Sequence, residues 1–402
     1  MALNPHVELS ALHIPRALRA FDAGGAEVFD VALHDGRIAA IRPSTQPARG
    51  LLLSAPVEAH AHIDKNYTVE ETGGAQGDLF SAIRRMEAHR ASWSGATLRP
   101  RMERALQEAW AFGTRALRTH LDWGGAAPPA SLAVLEALRE AWRGRIELQF
   151  VALTPLDVYA DEAAGAQIAR EVRRAGGVLG AFVYRNADLA ARLRRVFALA
   201  AQHGLALDFH VDEGLDRDAQ GLALIAQMTL EHGMQGRVVC GHACSLSVQP
   251  DHEVEATLAL CARAGLHLVA LPSTNLYLQG AWERTPVPRG ITRLREARAA
   301  GVGTSLATDN VQDAFYPFGG YDLLDAFGLG VQAAHLAPAL DWIDTITVNP
   351  ARALGLAWDG RLHEGCPADL LWLDARNEYE LIGPHGRARR VIRAGRPLEM
   401  PA

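Results

Sequence analysis

Two histidines separated by a single residue are the first part of this chain whose spacing suggests chemistry. His60 and His62 follow an apolar stretch, and the spacing would place both imidazoles on one face of a β-strand, because successive side chains of a strand point to opposite faces. Two neutral imidazole nitrogens on one face can share a divalent metal ion. The pair therefore predicts part of a metal site whose other ligands come from elsewhere in the chain.

The chain has one lysine, Lys65, and it lies three residues beyond this pair. The other 39 of its 40 basic residues are arginines. A solitary ammonium in such a chain indicates that Lys65 belongs to a site that needs a compact point charge with an adjustable pKa. The alternative is that Lys65 is a surface residue retained by chance.

Polar residues also occur where three later apolar runs end. His210 and Glu213 follow one run, His242 follows another, and Asp309 ends a third. A lone histidine at a strand end is more often structural than a ligand, but four strand ends that carry such groups favour a common site. Glu213 could move protons between hydroxide and a substrate nitrogen, with a solvated loop carboxylate as the alternative. A site for Zn²⁺ or Fe²⁺ with room for a water molecule would be formed by His60, His62, His210 and Asp309. The metal would make hydroxide available from that water near neutral pH.

The segments that must position these residues alternate between short apolar runs and helical patterns. This alternation predicts a (β/α)8 barrel, in which active-site residues lie at the carboxyl ends of the strands. In one predicted helix Asp188 is the expected N-cap and an apolar face packs on the sheet. The apolar runs include residues 146–153, 178–183, 207–211 and 266–271, and the apolar face of that helix comprises Leu189, Leu193, Val196, Phe197 and Ala200.

Both ends of the chain read as short strands outside this alternation. Residues 28–41 alternate around a turn at Asp35-Gly36, and residues 369–374 and 390–395 are strand-like. A length of 402 residues suits one large domain with such an appendage.

Composition narrows the class of protein. A hydrophobic content of 49% with 21% charged residues is typical of a soluble globular enzyme. A net charge of −6 without a basic stripe argues against nucleic-acid or anionic-membrane binding, and neither a signal peptide nor a membrane-spanning run is recognisable. A cytoplasmic setting with reduced thiols is favoured by the few, irregularly spaced cysteines, Cys240, Cys244, Cys261 and Cys366.

Taken together, the motifs resemble the cytosine deaminase branch of the amidohydrolase superfamily. They occur in family-like order along nearly the whole chain, at residues 60–64, 79–83, 118–122, 210–213, 241–242, 278–280, 289–293, 309 and 316–317. The resemblance implies a TIM barrel of residues 56–346 and a small β-sandwich formed jointly by residues 1–55 and 347–402. The segment of residues 178–185 has no lysine that could bridge two metals, as binuclear relatives require.

The resemblance also implies roles for individual residues. One metal ion is held by His60, His62, His210 and Asp309. Glu213 is the proton shuttle, and His242 acts with Asp309 to orient and deprotonate the nucleophilic water. His120 and Asp64 resemble positions that would orient the metal ligands or Lys65. A purely structural role is an equally good alternative for both residues.

The substrate-binding positions depart from those of cytosine deaminases. The segment of residues 153–156 lacks the family's pyrimidine-binding glutamine and offers only the Thr154 hydroxyl. Asn310 replaces a second aspartate, and Phe315 replaces a larger aromatic and could be a substrate contact or a core residue. A lysine at the position of Lys65 resembles the relatives that hydrolyse N-alkylated ammelides. Its positive charge favours a substrate whose ring oxygen carries negative charge. We expect these four residues to contact substrate.

The predicted activity is hydrolytic deamination of a cytosine- or isocytosine-like pyrimidine or of an aminotriazine, with release of ammonia or a small amine. Two alternatives stay open: hydrolysis of a cyclic or N-substituted amide by the same hydroxide, and a catalytically inert barrel that serves as a scaffold. A small heterocycle is the expected partner. The sequence leaves open the choice between zinc and iron and whether the chain forms a homo-oligomer.

Overall fold

A computed structural model describes residues 7–74, 78–383 and 388–399 of the protein. The described residues form two sheets, one of eight strands and one of seven. Their strands are β1 (Val7–His13), β2 (Val28–His34), β3 (Arg37–Pro43), β4 (Gly50–Ser54), β5 (Val57–Ala61), β6 (Ala116–Asp122), β7 (Glu147–Pro155), β8 (Val178–Val183), β9 (Leu207–Val211), β10 (Val238–His242), β11 (His267–Ala270), β12 (Gly303–Leu306), β13 (Leu370–Leu373), β14 (Arg389–Arg393) and β15 (Arg396–Pro397).

The eight-stranded sheet contains β5 to β12 in chain order, and every neighbouring pair is parallel. A bridge between Ala61 and Asp309 joins the first strand to the segment after the last, where the Asp309 amide donates to the carbonyl of His60 at 3.0 Å. The predicted TIM barrel is confirmed. The bridge also joins two of the predicted ligand segments.

Helices follow most barrel strands and cover the outside of the sheet. The described residues contain α1 (Val69–Thr72), α2 (Leu79–Arg90), α3 (Gly95–Ala111), α4 (Ala130–Ala141), α5 (Glu162–Ala175), α6 (Leu189–His203), α7 (Gly221–Glu231), α8 (Asp251–Arg263), α9 (Pro272–Leu278), α10 (Leu294–Ala299), α11 (Leu323–Ala333), α12 (Val348–Ala353) and α13 (Glu378–Ile382). Short 3₁₀ helices span Arg16–Leu18, Leu156–Ala160, Cys244–Ser247 and Ala339–Ile346.

Helix α6 shows how sequence pattern and packing agree. Leu193, Val196, Phe197 and Ala200 are buried, and Phe197 stacks on Phe209 of β9 with ring centroids 6.0 Å apart. The predicted capping role of the residue before this helix was wrong. Asp188 has a left-handed backbone with φ of 50° and its side chain makes no capping hydrogen bond, because a capping side chain requires an extended backbone at that position.

The terminal segments join in one seven-stranded sheet with the order β15-β14-β13-β4-β1-β2-β3. Strand β4 pairs parallel with β1 and antiparallel with β13, so the expected sandwich takes the form of one hydrogen-bonded sheet shared by both ends of the chain. The predicted turn between β2 and β3 is present, with positive φ at Asp35 and Gly36. Residues 1–6, 384–387 and 400–402 of the predicted terminal domains lie outside the described residues.

The predicted domain boundaries fall close to changes in structure. The boundary at residues 55–56 lies between β4 and β5. The boundary at residues 346–347 precedes α12, whose Ala351 packs with Val57 and Ala116 of the barrel strands. No helix of the described residues combines the length and apolar character that crossing a membrane requires.

Candidate metal centre and active site

Four buried side chains meet at the carboxyl end of the barrel, from β5, from β9 and from the loop after β12. The Nε2 atom of His210 lies 3.2 Å from Nε2 of His60 and 3.1 Å from Nε2 of His62. The Oδ1 atom of Asp309 lies 3.5 Å from Nε2 of His60 and 3.2 Å from Nε2 of His62. The fold therefore brings the four predicted ligands to one point.

These spacings fit a single metal ion. Bonds of about 2.0–2.1 Å to a tetrahedral Zn²⁺ place neighbouring ligand atoms about 3.3–3.4 Å apart. Both carboxylate oxygens of Asp309 and the Nδ1 atoms of the three histidines are buried without a hydrogen-bond partner among the described residues. Burying these groups unpaired would be costly, whereas a cation at the centre compensates the inward-facing atoms. Two overlapping buried groups at this point have ligand atoms close enough together to hold one metal ion: His60, His62, His120 and His210, and His60, His210, His242 and Asp309.

The protonation states of the ligands suit this role. Burial and the nearby Lys65 charge hold the pKa of His62 well below its usual value, and burial with the neighbouring His60 does the same for His210. Burial alone would raise the pKa of Asp309, but the facing imidazoles hold it well below its ordinary value. Neutral imidazoles and an ionised carboxylate are the forms that bind a metal.

The backbone and one buried glutamate fix the ligand segments. Asp309 has φ of 64° and His242 has φ of 70°, a left-handed conformation that non-glycine residues adopt rarely and that concentrates at functional sites. The Glu58 carboxylate accepts hydrogen bonds from the His60 amide at 3.0 Å and from the Thr308 hydroxyl at 2.7 Å. Glu58 thus connects β5 to the loop that carries Asp309.

Glu213 and His242 lie beside the ligand cluster. Oε1 of Glu213 is 3.4 Å from Nδ1 of His242, and both side chains are buried. Burial, and then the negative charge of Asp309, raise the pKa of Glu213 well above its usual value. Burial lowers the pKa of His242 to about 3, so this imidazole is neutral. A buried carboxyl group with a raised pKa and a neutral imidazole therefore lie next to each other beside the cluster.

A further buried residue, Asn275, contacts His242. Its Nδ2 atom lies 3.1 Å from Nδ1 of His242. When the Asn275 amide donates to Nδ1, the proton of the neutral ring is on Nε2, an atom without a hydrogen-bond partner among the described residues. In that tautomer His242 can donate a hydrogen bond from Nε2.

The residues expected behind the ligands occupy different positions. The ring of His120 packs 3.9 Å from that of His60, and its Nε2 lies 3.3 Å from Oδ1 of Asp208. Asp64 lies further out and accepts a hydrogen bond from the amide of Asp122 at 2.9 Å. His120 therefore adjoins the ligands directly, whereas Asp64 supports the end of β6.

A cavity of about 370 Å³ opens beside the metal centre. Its volume lies within the range of roughly 300–1,000 Å³ that is common for small-molecule sites. One set of lining residues is apolar and includes Leu79, Phe80, Ile83, Met86, Leu153, Leu156, Phe182 and Tyr184. The polar lining residues include Lys65, Arg90, Asp122, Glu213 and Asn310.

Lys65 lies in the wall of this cavity with its side chain buried. Its Nζ atom is 2.7 Å from Oδ1 of Asp122 and 4.9 Å from the centre of the Phe315 ring. Burial disfavours the charge, but Asp122 and Asp64 together raise the pKa of Lys65 above its ordinary value. The solitary lysine is therefore a fixed cation and not a group tuned to lose its proton.

The other predicted substrate contacts divide into two groups. Asn310 and Phe315 line the cavity, and the Asn310 amide also donates to Oδ2 of Asp313 at 2.6 Å. Thr154 is fully buried, its hydroxyl donates to the Ala152 carbonyl at 3.3 Å, and it is not among the residues that line the cavity. In β7 the neighbouring side chains face the cavity, because alternate residues of a strand point to opposite sides.

Sequence reasoning gave no role to three residues that the structure places at the site. Glu58 lies two residues before His60, and that spacing along β5 was the one local signal that could have identified it. Asn275 and Asp122 come next to the site through the fold. Asp122 ends the motif of residues 118–122, but the motif did not indicate its contact with Lys65, and no spacing distinguishes Asn275.

The chain is similar to several characterised proteins. Residues 66–398 match the model of the Amidohydrolase family. The chain is 39% identical to the pterin deaminase of Rhizobium rhizogenes, over 92% of this chain and 87% of that protein. It is 25% identical to the N-isopropylammelide isopropyl amidohydrolase of a Pseudomonas species, over 92% and 93% of the two chains. The crystal structure of 5-methylcytosine deaminase from Klebsiella pneumoniae, liganded with 5-fluorocytosine, superposes with a TM-score of 0.85 at 27% identity and covers 98% of both chains.

Proposed function

We propose that this chain, which belongs to the amidohydrolase family, is a metal-dependent hydrolytic deaminase of a small nitrogen heterocycle. The reaction replaces a ring amino group by the oxygen of water and releases ammonia. The observation that carries the proposal is the convergence of His60, His62, His210 and Asp309 on one point beside the buried carboxyl group of Glu213.

The residues around this point would each carry out a different step of the reaction. A divalent metal ion held by the four ligands would activate water as a nucleophile near neutral pH. Glu213 accepts one proton from that water and delivers it to a ring nitrogen, a role that its raised pKa supports. The second proton of the water, from the hydroxyl group now on the reacting carbon, passes to the amino group, and the C–N bond breaks to release ammonia. His242 donates a hydrogen bond from Nε2 to the oxygen that gains negative charge.

We further propose that the substrate is a pterin or a close analogue. The pyrimidine ring of a pterin has the 2-amino-4-oxo pattern of isocytosine, which the sequence already suggested. The similarity to pterin deaminase supports this choice, and so does a cavity whose lining includes His62 and His210 as well as Phe182, Tyr184 and Arg90. Flat aromatic and aliphatic walls of this kind suit a fused bicyclic ring.

Within this proposal, Lys65 hydrogen-bonds to the ring oxygen, Phe315 packs against the ring face and Asn310 contacts a ring-edge polar atom. The support is that all three line the cavity beside the ligands. Because the ammonium of Lys65 is fixed by Asp122, little rotamer entropy is lost when it binds substrate.

The test is a comparison of amino-heterocycles with metal-reconstituted protein. Pterin, isocytosine, cytosine and ammelide are supplied in turn, released ammonia is measured, and the product is identified by mass spectrometry. We expect ammonia release with an intact ring, and a kcat/KM for pterin of at least about 10⁴ M⁻¹s⁻¹, the lower end for natural enzyme–substrate pairs. Fully metallated protein that releases no ammonia from any of these compounds would show that the proposed reaction is wrong.

The same experiment separates the alternatives. A ring-opened product, or an alkylamine released from an N-substituted amide, would identify an amide hydrolase. A protein that holds no metal would be the inert scaffold. For the cellular setting we propose a reducing, intracellular compartment, supported by four buried cysteines that are free thiols.

A further inference from the structure

Asp122, the last residue of β6, lies in the cavity wall next to Lys65. Its Oδ1 atom accepts a hydrogen bond from the Lys65 ammonium at 2.7 Å. Its Oδ2 atom lies 4.0 Å from Nη1 of Arg90, which is beyond hydrogen-bonding distance. The Asp122 side chain is 12% exposed, whereas that of Lys65 is 4% exposed. The ion pair is therefore largely buried, and both of its residues line the cavity.

Backbone contacts hold this carboxylate in place. The Asp122 amide donates to Oδ2 of Asp64 at 2.9 Å, and the following amide, of Trp123, donates to the Leu153 carbonyl at 2.8 Å. Lys65 is held over the Phe315 ring. The Lys65 ammonium and the Asp122 carboxylate are thus fixed next to each other, and within the described part of the chain the nearest cation to Oδ2 of Asp122, apart from Lys65, is Arg90 at 4.0 Å.

We propose that Asp122 is a specificity-determining residue that, together with Lys65, hydrogen-bonds to the lactam group of the substrate ring. Asp122 accepts the ring N–H, and Lys65 donates to the adjacent carbonyl oxygen. This inference rests on the proposed deaminase function. In a 2-amino-4-oxo ring the lactam nitrogen is one of the two ring nitrogens beside the reacting carbon. Binding it to Asp122 leaves the other nitrogen to receive its proton from Glu213.

The physical reason for selectivity is the cost of an unpaired charged group. A ring without the N–H would displace water from the free oxygen of Asp122 and give it no donor in return. A hydrogen bond to a charged group corresponds to roughly 10- to 100-fold in binding. A site built to accept an N–H rejects analogues that lack it more strongly than an apolar pocket rejects a change in size.

The test combines a change in the residue with a change in the ligand. The ligands are pterin and its derivative methylated on the lactam nitrogen, which keeps the carbonyl and loses the N–H. The proteins are the wild type, Asp122→Asn and the matched control Asp251→Asn, which removes the charge of an aspartate that is paired with Arg293 on the surface. For each protein kcat/KM is measured with both ligands, and metal content and thermal unfolding are compared.

We expect the wild type and Asp251→Asn to prefer pterin over the methylated compound by at least about 30-fold, within the range for hydrogen bonds to charged groups. In Asp122→Asn, kcat/KM for pterin should fall by at least about 10-fold, while the value for the methylated compound should change by less than about threefold. Asparagine has the same size as aspartate. Any steric penalty from the methyl group of the ligand should therefore be equal in the wild type and in Asp122→Asn.

Two results would overturn the inference. One is an equal kcat/KM of the wild type for both ligands. That result would overturn the inference even if the Asp122→Asn variant does not fold. The other is an equal loss for both ligands in Asp122→Asn, which would mean that Asp122 only supports Lys65. If the wild type turns over no amino-heterocycle, the proposed function fails on its own. Calorimetric binding of the two pterins to the metallated protein then still tests Asp122.

Discussion

The ligand cluster and the cavity wall lie side by side but differ in origin and exposure. The cluster comes from strand ends and the loop after β12, and its four side chains are almost inaccessible. Much of the cavity wall comes from α2 and from loops, and several of its residues, such as Phe80, Ile83 and Arg90, are only half-buried. The four proposed ligands therefore lie at the buried edge of the barrel, whereas more exposed elements form much of the cavity beside them.

The two regions also differ in how strongly chemistry restricts their residues. A divalent metal accepts few ligand types at defined distances, and the predicted set of histidines and aspartate meets those distances. A cavity wall needs complementary shape with a few polar contacts, which many sequences can supply. Substitutions should therefore have large and uniform effects in the cluster and smaller, substrate-dependent effects in the wall.

The largest effect is expected from removing a metal ligand. In Asp309→Ala the carboxylate that closes the ligand set is lost, so metal content should fall far below one ion per chain. Activity should fall by about 1,000-fold or more, because metal activation of water contributes several kcal/mol. Elemental analysis and ammonia release are the measurements. A variant that keeps one metal and normal turnover would remove Asp309 from the proposed ligand set.

Glu213→Gln should show the next largest effect and separate metal binding from proton transfer. The amide cannot carry the proton, so kcat should fall by about 100- to 10,000-fold, the range typical of general acid–base residues. Metal content should stay at one ion per chain, because Glu213 is not among the four ligands. The proton-shuttle role is wrong if the metallated variant keeps full turnover.

Lys65→Met tests the cavity wall and should have a smaller effect that depends on the substrate. Losing a charged hydrogen bond to the ring oxygen should lower kcat/KM by roughly 10- to 100-fold for oxo-heterocycles. Metal content should be unchanged. Substrates without a ring oxygen at this position should be affected much less, and equal losses for both kinds of substrate would contradict a direct contact.

Phe315→Leu should weaken binding with little effect on chemistry. The smaller, non-aromatic side chain loses a stacking contribution of about 0.5–1.5 kcal/mol, which corresponds to an increase in KM of about 2- to 10-fold. A fall in kcat of the size expected for Glu213→Gln would place Phe315 in the reaction itself.

Thr154→Val should have the smallest effect. The hydroxyl contacts the Ala152 carbonyl and does not line the cavity, so kcat and KM should change by less than about twofold, since a group outside the site adds no transition-state binding. A rise in KM confined to certain heterocycles would restore Thr154 as a substrate contact.

The barrel could be predicted because its signals are local. The apolar runs at residues 178–183 and 207–211 coincide with β8 and β9, and the run at 146–153 differs from β7 by only one residue at its start and two at its end. Both faces of β8 and β9 are buried, which favours apolar residues, although β9 also carries the buried Asp208 and His210. The proposed ligands could be chosen from the sequence because metal chemistry limits both residue type and position at the strand ends, and the fold brings their side chains together.

The cavity was harder to predict because its contacts depend on the fold. Asp122 becomes the partner of Lys65 only when β5 and β6 are adjacent, and no spacing in the sequence encodes the 2.7 Å contact. Thr154 could be placed near the site by its position in the sequence, but the direction of its side chain depends on the register of β7. Asp188 failed as a cap for a related reason, since its backbone conformation is set by the loop before α6.

The most direct test of the central claim is a metal titration of chelator-stripped protein with ammonia release from pterin as the readout. The account predicts no activity without metal, a linear rise as Zn²⁺ or Fe²⁺ is added, and a plateau at one equivalent per chain. Full activity in the stripped protein, or a plateau that requires two equivalents, would contradict a single metal ion held by His60, His62, His210 and Asp309.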